Sequence, residues 1–348
     1  FHVLSSAEQI IVDMKKTHSP LQLTPTTFTV ISDFIINAIE EVREQNQHIF
    51  LFTPRRGLFT LTLCSDCGEV VLCTHCSAPL VLHKETKKAA GGRIERIFLC
   101  HKCREKNVVQ DRCKKCDSWR LAPLGAGTER IEEEIKKLFP TIKIVRLDKD
   151  SAPSRKKAEQ KMKEFLSAPG SVLIGTELAL NMLKKKIAVT AALSIDSLFA
   201  LPSFRMNERV FDLLLNLREK AMKKFIMQSR MPDLSIFKHV SNGNIADFYK
   251  EEKEARRIFN YPPFTTIIKL TVEGSKQHIE KEVAFIKKHI DGYELFVFPA
   301  FISKVRRKYI MHAIIKTKRE EWPDEKLLSL LYGLPQSVAI NVDPEHLL

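Results

Sequence analysis

The chain has 348 residues, 44% of them hydrophobic, with 56 Lys+Arg against 42 Asp+Glu and a formal charge of +14. That length admits two or three domains with real cores, and the basic balance points to polyanions such as nucleic acid or acidic protein tails as partners. No stretch approaches the roughly 18 uninterrupted apolar residues of a membrane span, so a soluble chain without a membrane partner is expected.

The chain opens at Phe1 within ordinary sequence, which leaves open a preceding leader or domain. Residues 29–45 place apolar side chains at helical spacing, and HIFLFTP (48–54) follows as a first short strand closed by Pro54. All eight cysteines then fall between Cys64 and Cys116, as four CxxC pairs: Cys64/Cys67, Cys73/Cys76, Cys100/Cys103 and Cys113/Cys116. Two thiols two residues apart on a tight turn can face one ion, and two such turns complete a tetrahedral shell. Four turns therefore predict two closed structural zinc sites, with no ligand position left for a catalytic water. A disulfide scaffold is the bland alternative, although it is rare in large basic chains, and a redox CxxC is a second. His75, His83 and His101 lie close by and are read as surface or supporting residues, because the thiols already suffice.

Between residues 84 and 120 stand Lys84, Lys87, Lys88, Arg93, Arg96, Lys102, Arg104, Lys106, Arg112, Lys114, Lys115 and Arg120 against five acids. A metal-tied module with that surface suits a phosphate backbone. The competing reading is a set of solubilising loop charges.

Downstream, RIEEEIKKLFP (130–140) reads as a helix, IKIVRLD (142–148) as a strand and RKKAEQKMKEFLS as a basic helix. SVLIGTE (171–177), AALSID (191–196) and KFIMQS (224–229) read as further strands. Alternating helices and short apolar strands predict an α/β fold with a parallel, doubly wound sheet, interrupted by the zinc segment after its first strand. After about residue 231 the pattern changes to FTTIIKLTVEG, KQHIEKEVAFIKKHI, ELFVFP, KYIMHAIIKTK, DEKLLSLLYG and SVAINVDP, a βαββαβ order of the ferredoxin-like kind.

Several blocks carry a resemblance. LFTPRRG (51–57) leads directly into the CxxC array, and LGAGTERIEEEIKKLFP (124–140) is followed by IVRLDKDSA. LIGTE (173–177), IADFYKEEKEARRIFNYPPF (245–264) and INVDP (340–344) continue the order. With the four CxxC pairs they are similar to the C-terminal half of the PriA family, the bacterial replication-restart helicases also called primosomal protein N′. The resemblance covers nearly the whole chain. It implies that residues 1–63 and 121–230 form a second RecA-like helicase lobe, with 64–120 as a zinc-binding insertion, 231–260 as connecting helices and 261–348 as a C-terminal βαββαβ domain.

In that family the ligands nest. Carried over, one zinc takes Cys64, Cys67, Cys113 and Cys116, and the other takes Cys73, Cys76, Cys100 and Cys103. The loop between Cys76 and Cys100, with KKAAGGRIE, is longer than the family leads one to expect.

An ATPase needs a phosphate cradle such as GxxxxGK[ST] and a carboxylate for Mg²⁺. GAGTER lacks the lysine, and DEKL lies in the last domain. The family follows its LIGT strand with a lysine-glycine segment and later carries a glutamine-glycine-arginine motif. Here those positions read GTELALNMLKKKIAV and LLLNLREKAMKKF, where Arg218 is the only arginine and is read as a solvated one. No residue of the chain is expected to be catalytic, and ATP with Mg²⁺ is not expected to be turned over.

What the resemblance leaves is binding: DNA forks and single strands, single-strand binding protein and primosome proteins, in the cytoplasm at the nucleoid. Arg55, Arg56, Lys102, Arg104, Arg306, Arg307, Lys308, Tyr309 and His312 are the residues expected to meet DNA or a partner. Exposed cations beside an aromatic suit a carboxylate tail or a stacked base. The charges of the RRKYIMHAII strand also read as protection of a sheet edge. The alternatives are a zinc-stabilised basic scaffold without fork recognition, and a full enzyme of which this sequence is the end.

Overall fold

The IFLF run near residue 50 is buried on both of its faces, which is what a strand inside a parallel sheet requires. The computed structural model describes residues 5–16, 30–54, 61–64, 67, 69–74, 79–86, 94–100, 106–108, 112–119, 121–124, 128–199, 203–305, 308–345 and 347. They fall into two compact units, Phe1–Leu201 with Arg205–Phe248, and Pro202–Phe204 with Tyr249–Leu348.

The first unit begins with β1 (Glu8–Asp13), α1 (Asp33–Glu44) and β2 (Ile49–Phe52). The cysteine segment follows, with β3 (Leu61–Cys64), β4 (Leu80–Thr86), β5 (Ile94–Cys100), β6 (Lys106–Val108) and β7 (Leu121–Leu124). Then come α2 (Thr128–Leu138), β8 (Ile144–Leu147), α3 (Arg155–Ser167), β9 (Val172–Gly175), α4 (Glu177–Met182) and β10 (Ile187–Ala192). The unit closes with α5 (Asp196–Phe199), α6 (Met206–Lys220), β11 (Ala221–Ser229) and α7 (Ser235–Asn242). Six strands form one sheet in the order β1-β11-β10-β2-β9-β8, and every pairing in it is parallel.

Period-two alternation along β2 divides the core. Ile49 and Leu51, with Val172 and Ile174, meet Ile35 and Ile39 of α1 and Ile131 and Ile135 of α2. Phe50 and Phe52, with Leu173, meet Phe165 of α3 and Val210 and Leu214 of α6. Helices therefore cover both faces, and the sheet is doubly wound.

Two expectations need correction. β1 precedes the HIFLFTP strand and pairs in parallel with β11, so the cysteine segment enters after the second strand. The AALSID strand lies earlier, at Ile187–Ala192, where all six side chains are buried and β-branched residues are concentrated. Ser194, at φ +54, turns the chain away before Asp196.

Gly175 ends β9 at a close approach. A Cβ there would lie 2.3 Å from Ala179 Cβ and 2.7 Å from Leu147 O, so only glycine lets α4 start this tightly against β8.

α8 (Ile245–Ile258) runs across the division between the units. The second unit continues with β12 (Thr265–Gly274), α9 (Lys276–His289), β13 (Leu295–Val305), β14 (Lys308–Lys318), α10 (Glu325–Tyr332) and β15 (Val338–Val342). Its sheet order, β13-β14-β12-β15 with all pairs antiparallel, is the expected split βαβ arrangement. Ile268, Leu270, Val272 and Ile315 pack against Ile279 and Ile286 of α9 and Leu327 and Leu331 of α10.

The YPPF and INVDP blocks both fasten this unit. Tyr261 stacks on Phe204 at 5.2 Å, Lys316 Nζ sits 4.1 Å from the Tyr261 ring centroid, and Arg256 lies over Phe204 at 5.2 Å. Asp343 accepts from Arg319 at 2.6 Å and from the Ile267 amide at 3.1 Å. The first carboxylate of DEKL acts just as locally. Asp324 caps α10, accepting from the Leu327 amide at 3.1 Å and from the Tyr293 hydroxyl at 2.5 Å.

Candidate metal centre

Strand pairing brings the first and last CxxC pairs together. β3 runs antiparallel to β7 with Cys64 opposite Leu121, so the chain leaving β3 and the chain entering β7 share one end of a short ribbon. At that end each pair sits on its own hydrogen-bonded turn. In the first, the Cys64 amide donates to Glu69 O at 2.8 Å, and Leu63 bridges to Val70. In the second, the Cys113 amide donates to Ser118 O at 2.7 Å and the Asp117 amide donates to Cys113 O at 2.9 Å. Asp117, at φ +57, makes the reversal, and the Lys115 amide donates to Cys113 Sγ at 3.4 Å.

The four sulfurs lie within 4.8 Å of one another. The Sγ atoms of Cys64 and Cys116 are 3.5 Å apart, as are those of Cys67 and Cys113. Ligands about 2.3 Å from a tetrahedral zinc stand about 3.8 Å from each other, whereas a disulfide needs about 2.0 Å. No disulfide joins these cysteines, and their spacing fits an ion rather than two bridges. Four soft ligands with no carboxylate or water position describe a closed structural site.

Without a cation the arrangement opposes its own ionisation. Burial, together with the facing thiols of Cys116, Cys113 and Cys64, pushes the Cys67 thiol up to about 12. A divalent ion held by these four thiolates would reverse that preference, because they would face positive charge. Glu69 ties the turn to its surroundings through Lys115 at 3.4 Å and Lys15 at 3.7 Å.

The inner cysteines are only partly within view. Cys73 is buried, and the β4–β5 pairing sets Cys100 opposite Leu80. Cys76, Cys103 and the Cys100 side chain lie outside the described residues, as do His75, His101 and the His83 side chain. Arg55, Arg56, Lys102, Arg104, Arg306, Arg307 and the Lys308 side chain also lie outside them.

Of the expected contact residues on the RRKYIMHAII strand, Tyr309 is 38% exposed. His312 is not a surface cation. It is buried, with Nδ1 2.9 Å from Thr271 Oγ1 and its ring 5.9 Å from that of Phe298, so alternation along β14 turns it inward. Arg218 also requires correction. It is buried in α6 and donates to Val240 O, near the end of α7, at 2.7 Å and to Ser5 O, before β1, at 3.5 Å, serving backbone carbonyls rather than solvent. Burial lowers its pKa. The neighbouring Arg209 makes two bonds to Glu177, at 2.8 and 3.1 Å.

A buried polar knot went unpredicted. Asp196 accepts from Ser229 Oγ at 2.6 Å and from the Arg230 amide at 2.8 Å, and the Arg230 guanidinium donates to Met14 O at 3.2 Å. It joins the carboxyl ends of β1, β10 and β11. Burial raises the Asp196 pKa and lowers that of Arg230. Neither residue is marked by sequence spacing.

No helix among the described residues is long and apolar enough to cross a membrane, and no family model matches the chain. The chain is 28% identical over 319 residues to the replication restart protein PriA of Thermotoga maritima, an alignment spanning 90% of this chain and 42% of that protein. It is 26% identical over 355 residues to the PriA of Bacillus subtilis, spanning 98% and 42%. With the PriA of Rickettsia typhi it shares 30% identity over 351 residues, spanning 96% and 52%. The chain thus spans about two fifths to one half of the length of these relatives.

Proposed function

We propose, from the premise that the chain is PriA-like over about nine tenths of its length, that it acts in DNA replication restart by binding branched or single-stranded DNA. That likeness is the observation that carries the reading. The parallel unit would serve as a helicase-like lobe that holds the cysteine module, and the basic surface of that module would meet the phosphate backbone. Cys64, Cys67, Cys113 and Cys116 hold one zinc ion in this reading, and Cys73, Cys76, Cys100 and Cys103 hold a second. Both ions order the module and take no part in chemistry. Primosome proteins and single-strand binding protein are the proposed protein partners, and the nucleoid in the cytoplasm is the proposed location.

The chain acts in this reading without driving strand separation. Its sequence has no GxxxxGK[ST] cradle, and Arg218 is engaged with backbone carbonyls inside its own unit. An arginine so held has no freedom to reach a γ-phosphate, the contact that contributes orders of magnitude to phosphoryl transfer.

The test is binding to a labelled three-way fork and to duplex of equal length, at two salt concentrations. Fork preference that survives the higher salt supports a restart role. Equal binding that salt erases would leave a basic zinc scaffold in its place.

A further inference from the structure

The turn that carries Cys113 and Cys116 also carries Trp119, whose residue exposure is 74%. Its side chain has no hydrogen-bond, ring or cation partner among the described residues. The backbone under it is held on both sides. Ser118 O accepts from the Cys113 amide at 2.7 Å, and Trp119 O accepts from the Leu121 amide at 2.9 Å. Arg112 closes the turn across its mouth by pairing with Asp117 at 2.8 Å. An indole on a fixed turn gives up little conformational freedom when a flat partner covers it.

Its surroundings select the partner. The Arg112 side chain is 63% exposed, that of Lys115 is 57% exposed although it pairs with Glu69 at 3.4 Å, and Lys114 is exposed between Cys113 and Lys115. The acid on the same turn, Asp117, is already engaged by Arg112. A flat apolar face bordered by cations matches the two faces of a nucleotide, a base to stack and a phosphate to neutralise. An acidic peptide would use the cations and would need an apolar side chain of its own to cover the indole, whereas a nucleotide brings both a flat face and a charge. We propose that Trp119 is a stacking platform for a base of single-stranded nucleic acid, with Lys114 on a flanking phosphate. This deepens the DNA-binding reading and rests on it.

The chain has two tryptophans, Trp119 and Trp322, and the second is partly buried against the core of the other unit. Tryptophan emission therefore reports the contact directly. In the Trp322→Phe chain, titration with a dye-labelled oligothymidylate is expected to quench Trp119 in step with binding seen through the label. Trp119→Ala is expected to weaken that binding about 5- to 150-fold, the range one stacked base contributes, while Trp119→Phe retains most of it. Zinc content measured on each variant confirms that the turn is intact.

Oligonucleotide binding without quenching, and unchanged in Trp119→Ala, overturns the stacking site and leaves the DNA-binding reading standing. No binding to the oligonucleotide or to a fork overturns both. Quenching by anionic phosphatidylserine vesicles and not by the oligonucleotide overturns the nucleic-acid assignment in favour of a lipid surface.

Discussion

The sulfurs of Cys67 and Cys113 stand 3.5 Å apart although 46 positions separate the two residues in the chain. One ion at that contact would close a long loop, and the loop contains the whole of β4, β5 and β6. Cys67→Ser is therefore expected to cost the centre its metal, so that zinc per chain falls by about one equivalent and the module's strands lose hydrogen-exchange protection. Unchanged metal content in the variant would contradict the outer ligand set.

Gly175→Ala tests the packing that starts α4. The added methyl meets Ala179 Cβ at 2.3 Å and a backbone oxygen at 2.7 Å, neither of which can move without shifting β8 or α4. A loss of about 1–3 kcal/mol in denaturant unfolding is expected. A change within a few tenths of a kcal/mol would show that the helix start is looser than the structure has it.

Arg218→Met should destabilise the first unit by about 1–3 kcal/mol, because the Val240 carbonyl loses its charged donor at 2.7 Å and is left with the Gly243 amide at 3.3 Å. A variant as stable as the wild type would return Arg218 to the solvated class.

Asp148 gives a pH dependence. Burial alone would raise its carboxyl, but bonds from Thr128 Oγ1 at 2.6 Å and the Ser151 amide at 2.7 Å, with Arg146 at 3.3 Å, outweigh burial and lower it. A carboxyl whose folded pKa lies below its unfolded value contributes stability that is complete above about pH 4 and is lost as pH falls through the folded value. Asp148→Asn is expected to lose about 1–3 kcal/mol at neutral pH and to unfold less steeply with acid. An acid unfolding limb identical to the wild type would show that Asp148 makes no such contribution.

Local chemistry made much of this legible in the sequence. RKKAEQKMKEFLS forms α3 over Arg155–Ser167, with Ser154 Oγ accepting the Lys157 amide at its start, because cap and periodicity agree. The cysteine pairs were legible because CxxC spacing carries its geometry with it, whereas the grouping of the outer pairs, which the structure brings together, was implied only by the resemblance to the PriA family. EQIIVD escaped notice since a single short apolar run becomes a strand only when β11 is beside it. Arg218, His312 and the pair Asp196 and Arg230 escaped for the same reason. A charge shows its burial only when partners from distant segments, such as Val240, Thr271 and Ser229, are folded against it.

The most direct test of the central claim is the fork-against-duplex comparison made on the zinc-loaded chain and on the same chain after chelation. The loaded chain is expected to prefer the fork, and chelation to abolish the preference while the antiparallel unit stays folded. A metal-free chain that keeps the full fork preference would contradict that claim.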